Sequence, residues 1–308
     1  MAVVLITGGT GLVGKSLTKT LLGRGYEIII LSRNPRENRE KVPGLSYSRW
    51  NIEKQEIDSE AIGRADHIIH LAGAGVADKR WTKKRKKEIV DSRVQSSRLL
   101  VKSLALIPNR VKTLISSSGI GWYGPDSIIP NPSPFTETNP SYHDFLGNTC
   151  RQWEESVDEA AQTGVRVVKL RTGIVLSRDG GAIKEFLKPL QFGVAAILGS
   201  GRQVVSWIHI EDLVNSCIAA MENEKMKGTY NVVAPLPVSN RELVLQLAKS
   251  RGKWFLPFSV PSFLLKVVLG EMSIEVLKSA TVSCGKLTGT GFRFRFPGIK
   301  EAMNDLLT

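Results

Sequence analysis

Cysteine, histidine and long apolar runs are all scarce in this chain of 308 residues. The three cysteines, Cys150, Cys217 and Cys284, form no C-x-x-C pair, which argues against a disulfide framework and fits a reducing compartment. The four histidines show no metal-ligand spacing with cysteines or carboxylates, so no metal site is predicted. No stretch approaches about 18 uninterrupted apolar residues, and the first apolar run lacks the basic flank of a signal peptide. We therefore expect a cytoplasmic globular protein, monomeric or homodimeric, without a membrane partner.

The charge of the chain is strongly basic, at a formal +13. Part of it lies in residues 79–87 (KRWTKKRKK), which continue into apolar residues at helical spacing as far as Leu100. The run therefore predicts the basic first turns of an amphipathic helix. Its charge fits either a solvated face or the neighbourhood of an anionic cofactor or substrate. No recognised nucleic-acid motif accompanies the run, so no nucleic-acid partner is predicted.

A glycine-rich turn follows the first apolar strand. Gly8, Gly11 and Gly14 are spaced for a dinucleotide pyrophosphate, and the apolar residues beyond them recur at helical spacing. Gly8 permits a tight turn, Gly11 lets backbone approach the phosphates, and Gly14 lets the helix pack close to the strand. The free N–H groups at the start of the helix face the anion. This strand, turn and helix predict a dinucleotide site.

The tip of the second strand carries no carboxylate. The predicted strand 26–31 is followed directly by Ser32 and Arg33, where the adenosine ribose of a bound cofactor would lie. An NAD site usually has Asp or Glu there to accept from both ribose hydroxyls, whereas arginine suits a 2′-phosphate. The sequence therefore predicts NADP(H), with Ser32 and Arg33 at the adenosine end. The alternative is that Arg33 is a solvated loop charge.

Strand-like runs alternate with helical patterns along the first half of the chain. The predicted strands are residues 2–6, 26–31, 67–71, 111–117, 165–170 and 229–233. This alternation predicts an α/β fold, a doubly wound parallel sheet of the Rossmann type. Glycines and prolines change the rhythm after residue 176. We expect residues 1–176 to form the NADP-binding domain, with about 205–234 returning to it, and residues 177–308 to form a smaller substrate lobe. The apolar run 263–269 is expected to be a packed helix.

Several stretches together resemble the extended short-chain dehydrogenase/reductase superfamily, over nearly the whole chain. The similar stretches are residues 7–14 (TGGTGLVG, its phosphate loop), 70–73 (HLAG, its fourth strand) and 207–212 (WIHIED, its second lobe). Residues 80–82, 92–94, 171–176 and 199–201 are further similar to an uncharacterised "epimerase family" branch with a C-terminal extension. The resemblance implies a set of cofactor contacts: Gly8, Thr10, Gly11, Leu12, Val13, Ser32, Arg33, Leu71, Ala72, Gly73, Arg93 and Val175.

The chain departs from this superfamily at the catalytic pair. Catalytic members carry Tyr-x-x-x-Lys on a helix, where the lysine lowers the pKa of the tyrosine so that its phenol serves as acid or base. Alignment through Trp153 and Glu154 places Leu146 and Cys150 at those two positions. Neither side chain performs that chemistry, and the branch that the chain resembles shares the absence.

Ser118 and Tyr123 are the candidates that could replace the missing pair. They lie just after the predicted strand 111–117, in a stretch that resembles the catalytic serine region of the superfamily. Ser118 would face a substrate carbonyl, and Tyr123 would be a nearby acid, helped by Lys86 or Arg80. The alternative is that the serines satisfy backbone groups and Tyr123 packs beneath a loop.

Two functions remain open from the sequence. The first is an NADP(H)-dependent oxidoreductase or epimerase-like enzyme with a non-standard acid, acting on an unidentified small molecule. The second is a non-catalytic NADP(H)-binding protein that senses the redox state of the cofactor.

Overall fold

The computed structural model describes residues 1–35 and 42–307. The strands of these residues are β1 (Val3–Thr7), β2 (Glu27–Ser32), β3 (Leu45–Asn51), β4 (Glu56–Ile57), β5 (His67–His70), β6 (Thr113–Gly119), β7 (Arg166–Thr172), β8 (Ile174–Ser177), β9 (Gly180–Gly181), β10 (Val194–Leu198), β11 (Val204–Val205), β12 (Trp207–His209), β13 (Gly228–Val232), β14 (Val238–Ser239) and β15 (Leu256–Val260). The helices are α1 (Leu12–Gly23), α2 (Ser59–Arg64), α3 (Lys83–Leu106), α4 (Phe145–Asp158), α5 (Ala182–Leu190), α6 (Ile210–Glu222), α7 (Asn240–Ser250), α8 (Ser262–Leu269), α9 (Ser273–Leu277), α10 (Gly285–Thr288) and α11 (Ile299–Leu307).

Eight strands form one large sheet in the order β13-β7-β6-β5-β1-β2-β3-β4. All neighbouring pairs are parallel except β3 with the two-residue strand β4. The strand order reverses between β1 and β5, because β2 and β3 extend the sheet in one direction and later strands extend it in the other. Ligands bind at such a reversal, outside the carboxyl ends of the strands. The predicted doubly wound parallel sheet is confirmed.

Both faces of this sheet are covered, as the unbroken apolar sequence of β1 and β2 requires. Val4 and Ile6 of β1 pack into a cluster with α1 and α6, while Val3 and Leu5 pack into a second cluster with α2 and α3. Successive side chains of a strand point to opposite faces, so the same short strand supports both layers. The glycine-rich turn therefore follows a fully buried strand.

Strand β3 is missing from the sequence predictions. Its sequence is mostly polar, and it pairs in register with β2, so that Ser32 lies opposite Arg49. This pairing adds a strand end beside the tip of β2. It places Arg49 in the part of the fold where the sequence predicted the adenosine end of a cofactor site.

The C-terminal half contributes to the large sheet and also forms its own core. Strand β13 lies beside β7, and α6 packs against α1. A separate apolar cluster is built from α5, β10, α7 and α11, with Ile183, Leu243, Leu247 and Met303 among its buried residues. The division at residue 176 stays a prediction.

Helix α8 differs from the expectation of a packed helix, because Leu265 is its only buried residue. Among the helices of residues 1–35 and 42–307, none is long and apolar enough to cross a membrane.

Candidate functional site

A cleft of about 1330 Å³ opens at the carboxyl edge of the large sheet, where the strand order reverses. Three groups of backbone line it: the turn after β1, the ends of β2 and β3, and the loop after β5. The start of α3 forms the remaining wall. Of the predicted cofactor contacts, these residues line the cleft: Gly8, Thr10, Gly11, Ser32, Arg33, Leu71, Ala72 and Gly73.

The turn after β1 depends on glycine at two places. Gly8 has a φ of +70°, and a Cβ there would lie 2.8 Å from the backbone carbon of Leu71. Gly14 touches the turn itself, because its Cβ would lie 2.5 Å from the Cα of Gly9. The turn is thus pressed against the end of β5 on one side and against α1 on the other. Helix α1 begins at Leu12, its N-cap Gly11 lines the cleft, and no side chain caps the helix. The helix N-terminus, which favours an anion, therefore adjoins the cleft.

A buried histidine joins the two strand ends beneath the cleft. Thr7 Oγ1 lies 2.6 Å from His70 Nδ1 and accepts from the N–H of Ala72, while Nε2 of His70 lies 3.1 Å from Ser97 Oγ. Burial lowers the pKa of His70 to about 3, and the charge of Arg93 contributes. The neutral ring, with Nδ1 accepting and Nε2 donating, therefore fixes the backbone that lines the cleft.

We expect His70 to make the protein sensitive to mild acid. Its folded pKa lies below the unfolded value of about 6.5, so the neutral ring stabilises the fold fully above that pH and loses this contribution as pH falls toward 3. Between pH 6.5 and 5 the loss is about 2 kcal/mol in the free energy of unfolding. The His70→Gln variant should lack this component, whereas replacing the exposed His143 by glutamine should keep it. Equal pH dependence of unfolding in all three proteins would contradict the expectation.

Two arginines lie in the cleft at the ends of β2 and β3, where the sequence predicted the adenosine end of a cofactor. Arg33 follows the tip of β2, and Arg49 lies near the end of the neighbouring β3; both are exposed and both line the cleft. Sequence reasoning missed Arg49 because β3 was not predicted. The hydrogen bond from Arg85 lowers the pKa of the Glu88 carboxyl, and Glu88, at the start of α3, lines the same cleft as Arg33.

The basic run 79–87 brings positive charge into the cleft. Thr82 caps α3 by accepting from the N–H of Arg85, and Lys79, Lys84 and Lys87 line the cleft wall together with Arg85. Arg85 is buried, donates to the carbonyl oxygen of Gly75 at 2.5 Å and pairs with Glu88. Of the two alternatives for this run, its position favours the neighbourhood of an anion.

Arg93 acts on the loop behind the cleft. Its Nη1 donates to the carbonyl oxygens of Ala74 (3.0 Å) and Ile89 (2.9 Å), and its guanidinium lies over the ring of Trp153. A Cβ on Gly73 would lie 3.1 Å from the Arg93 Cζ, so the guanidinium supports this loop directly. Its geometry is that of a positioning residue.

Leu12, Val13 and Val175 do not line the cleft. Leu12 lies against the β8–β9 hairpin, where a Cβ on Gly181 would meet it at 3.3 Å, while Val13 and Val175 pack against the core cluster of α1 and α6. Their contact with a cofactor stays a prediction. For Leu12 and Val13 of α1, the predicted contact would be made by the backbone N–H groups.

The two positions of the missing catalytic pair are occupied by groups without acid or base function. Leu146 packs against Gly121, and the thiol of Cys150 is buried and donates to the carbonyl oxygen of Gly119 at 3.5 Å. Burial raises the pKa of Cys150 to about 11, and the charge of Glu154 contributes. The thiol therefore stays protonated and inert at neutral pH.

A buried polar network surrounds these positions instead. Arg171 pairs with Glu154 through two hydrogen bonds, Nε to Oε1 at 2.7 Å and Nη2 to Oε2 at 3.0 Å, and both side chains are at most 5% exposed. Ser118 Oγ donates to the same Oε1 at 2.7 Å. Arg171 also donates to the hydroxyl of Tyr123, which in turn donates to Asn231 Oδ1.

This network changes the expectation for Tyr123. Its side chain is fully buried, stacks on Phe135, and burial raises the pKa of its phenol. The cation beside it is Arg171; Lys86 pairs with Glu271 and Arg80 approaches the carbonyl oxygen of Val267, so neither helps Tyr123 as expected. The structure thus brings Ser118 and Tyr123 into one network but places the phenol in the core. The position of Tyr123 agrees with the alternative given by the sequence analysis, in which this side chain packs beneath a loop.

His209 is also structural in its geometry. Its Nδ1 accepts from the N–H of Glu211 at the start of α6, and its ring packs on Phe296. Within residues 1–35 and 42–307 no group of three metal-ligating side chains occurs.

Comparisons with known proteins agree with this architecture. The profile of the NAD-dependent epimerase/dehydratase family matches residues 4–233, and that of a domain of unknown function, DUF1731, matches residues 260–306. An epimerase family protein of Staphylococcus haemolyticus is 36% identical over 307 residues, covering 98% of each chain.

Solved structures with a similar fold include other epimerase family proteins. The human epimerase family protein SDR39U1, crystallised with NADPH, is 28% identical with a TM-score of 0.85 and covers 99% of both chains. A nucleoside-diphosphate sugar epimerase from Corynebacterium glutamicum is 31% identical with a TM-score of 0.77, covering 99% of this chain and 58% of its own. The resemblance to the extended short-chain dehydrogenase/reductase superfamily is confirmed. This chain belongs to the NAD-dependent epimerase/dehydratase family.

Proposed function

We propose that the protein binds NADP(H) in the cleft and acts as an oxidoreductase or epimerase-like enzyme on a small molecule, without a Tyr-x-x-x-Lys pair. The pair of guanidinium groups at the adenosine end carries this proposal. Arg33 and Arg49 lie on neighbouring strand ends, and the residue at the tip of β2 is Ser32 rather than a carboxylate. Two guanidinium groups suit a 2′-phosphate, whereas an NAD site offers a carboxylate to the ribose. The NADPH in the human relative supports the same cofactor.

Each wall of the cleft has a distinct task. The N–H of Gly11 donates to Gly8 within the turn, so the N–H groups of the following residues at the start of α1 would hold the pyrophosphate. The loop 71–75, fixed by His70 and Arg93, would support the ribose on the opposite side. Bound NADPH supplies a hydride from its nicotinamide ring. Ser118, at the carboxyl end of β6, is the proposed acid-side group. Its hydroxyl donates to Glu154 in the structure. In the reduction of a substrate carbonyl this hydroxyl would turn to the substrate, donate its proton to the oxygen as the hydride reaches the carbon, and be reprotonated from water; in the reverse direction it would accept the proton of the substrate hydroxyl while passing its own to Glu154.

We expect NADPH to bind at least tenfold more tightly than NADH. A charge-assisted bond to the 2′-phosphate contributes about 1.5–3 kcal/mol, and about 1.4 kcal/mol corresponds to a factor of ten. Arg33→Gln and Arg49→Gln should each weaken NADPH binding about tenfold with NADH unchanged, and Arg33→Asp should shift the preference toward NADH. The matched control is Arg98→Gln, an exposed cation on α3 that does not line the cleft. Isothermal titration checks this; equal dissociation constants for the two cofactors would overturn NADP(H) specificity.

The inert catalytic positions favour a second candidate, a non-catalytic NADP(H)-binding protein. Leu146 and the protonated Cys150 provide no acid, and Tyr123 is enclosed in the core. Such a protein would report the redox state of the cofactor by binding alone.

Turnover decides between the two candidates. With NADPH and a broad panel of carbonyl compounds, the first predicts slow oxidation of the cofactor, and Ser118→Ala should lower that rate about 100-fold with cofactor affinity unchanged. Tyr123→Phe should lower the rate less than threefold, because its hydroxyl serves the core. No turnover by a folded, NADPH-bound protein would favour the second candidate. A 100-fold loss in Tyr123→Phe with unchanged stability would restore Tyr123 as the acid.

A further inference from the structure

The segment 249–270, which contains β15 and α8, exposes large apolar side chains. Its exposed large apolar side chains, each between 43% and 78% accessible, are Trp254, Leu256, Phe258, Phe263, Leu264, Val267 and Val268. Monomeric proteins rarely expose so many large apolar side chains in one short stretch, and such surfaces mark sites of interaction. We call residues 254–268 the apolar segment.

The exposed side chains of α8 form one continuous face. Phe263 and Val267 lie four residues apart, as do Leu264 and Val268, so the two rows are adjacent on the helix. Leu265, which is buried, anchors the opposite side. The helix therefore rests on the protein by one side and presents its apolar side to the surroundings.

The free edge of β15 is unsuited to a further strand. The N–H of Leu256 bonds to Gly193 and the carbonyl of Val260 accepts from Gly199, so both point toward β10. By alternation, Pro257 and Ser259 point to the outer edge, where proline offers no N–H donor. Proline at this place is a common device against edge-to-edge pairing. An added strand from a second copy is therefore disfavoured.

The charge of the segment indicates what covers it. Residues 249–270 contain four basic residues, Lys249, Arg251, Lys253 and Lys266, and no Asp or Glu. Beside the helix face, Lys266 of α8 is exposed and Arg80 approaches the carbonyl oxygen of Val267. An apolar face with aromatic residues and basic neighbours is typical of helices that lie in the interface of a membrane containing anionic lipids. Eight residues span about 12 Å, too short to cross a bilayer. The geometry requires α8 to lie in the membrane plane.

We propose that the apolar segment docks the protein on an anionic lipid surface. This is a peripheral contact, and it replaces the sequence expectation of no membrane partner. It also lies close to the proposed cofactor cleft, because Glu271, three residues after the segment, pairs with Lys86 in the first turns of α3, and these turns line the cleft.

The test uses the full chain and sedimentation with vesicles. Binding to vesicles of 30% phosphatidylglycerol in phosphatidylcholine is expected to exceed binding to pure phosphatidylcholine at least tenfold and to weaken at high salt. The double variant Phe263→Ser with Val267→Ser should lose at least tenfold. The matched control is Leu106→Ser with Ile128→Ser, which removes two equally exposed apolar side chains elsewhere. Circular dichroism and the thermal midpoint confirm that both variants fold.

Three outcomes would overturn the proposal. The first is no binding to either vesicle, and the second is equal binding by the two double variants. The third is a dimer in light scattering that Phe263→Ser with Val267→Ser converts to monomer without any lipid binding, which would assign the face to a second copy of the chain.

Discussion

Replacing Arg171 by methionine is expected to cost about 3–5 kcal/mol of the free energy of unfolding, since it leaves the buried carboxylate of Glu154 without its main partner. The guanidinium also stacks 3.6 Å above the ring of Trp122 and donates to Tyr123, so the variant loses more than one contact. The thermal midpoint should fall by roughly 6 °C or more.

Two controls separate burial from simple loss of charge. Arg151 forms an exposed pair with Glu155 on α4, the helix that also carries Glu154. Arg151→Met should change the free energy of unfolding by less than about 0.5 kcal/mol. Combining Arg171→Met with Glu154→Leu should recover much of the loss, because replacing both members of a buried pair is often close to neutral. A cost below about 1 kcal/mol for Arg171→Met alone, or a double variant less stable than the single one, would contradict the expectation.

This network marks the limit of what the sequence predicts. The replacement of the catalytic pair by Leu146 and Cys150 is visible in the chain because the pair has fixed helical spacing. What fills the space is not visible, since Tyr123 meets Asn231 across 108 residues and Glu154 on α4 meets Arg171 on β7 across 17 residues. Contacts of this kind follow from how strands are ordered in the sheet, which the local pattern does not specify.

The cleft itself was largely predictable, because its glycine-rich turn is built from consecutive residues. The spacing of Gly8 and Gly11 predicts the tight turn, and Arg33 shows that the residue after β2 is positively charged. Arg49 was not predictable from a period of two, since β3 has the mixed sequence LSYSRWN and few buried positions. The expectation of a packed α8 failed for a related reason: an apolar face indicates burial, but not whether its partner belongs to the same chain.

Gly14→Ala is expected to destabilise the fold by about 3 kcal/mol or more and to weaken NADPH binding with it. The new Cβ would lie 2.5 Å from the Cα and 2.8 Å from the carbonyl carbon of Gly9, and would also meet the Gly8 carbonyl oxygen. All of these are backbone atoms that hold the phosphate loop, so relief requires α1 to move away from β1. The thermal midpoint and the dissociation constant of NADPH measure the two effects.

The same helix and loop supply the controls for this change. Gly23→Ala, at the last residue of α1 with no atom within 4 Å of the new Cβ, should be neutral or stabilising by up to about 1 kcal/mol. Gly11→Val should keep the fold yet abolish NADPH binding, because Gly11 has an ordinary φ of −78° and its Cβ would contact one atom, Gly8 O at 3.3 Å, while its side chain would fill the cleft. If Gly14→Ala matched Gly23→Ala in stability, the helix would not depend on this close approach. If Gly11→Val still bound NADPH, the turn would not hold the pyrophosphate.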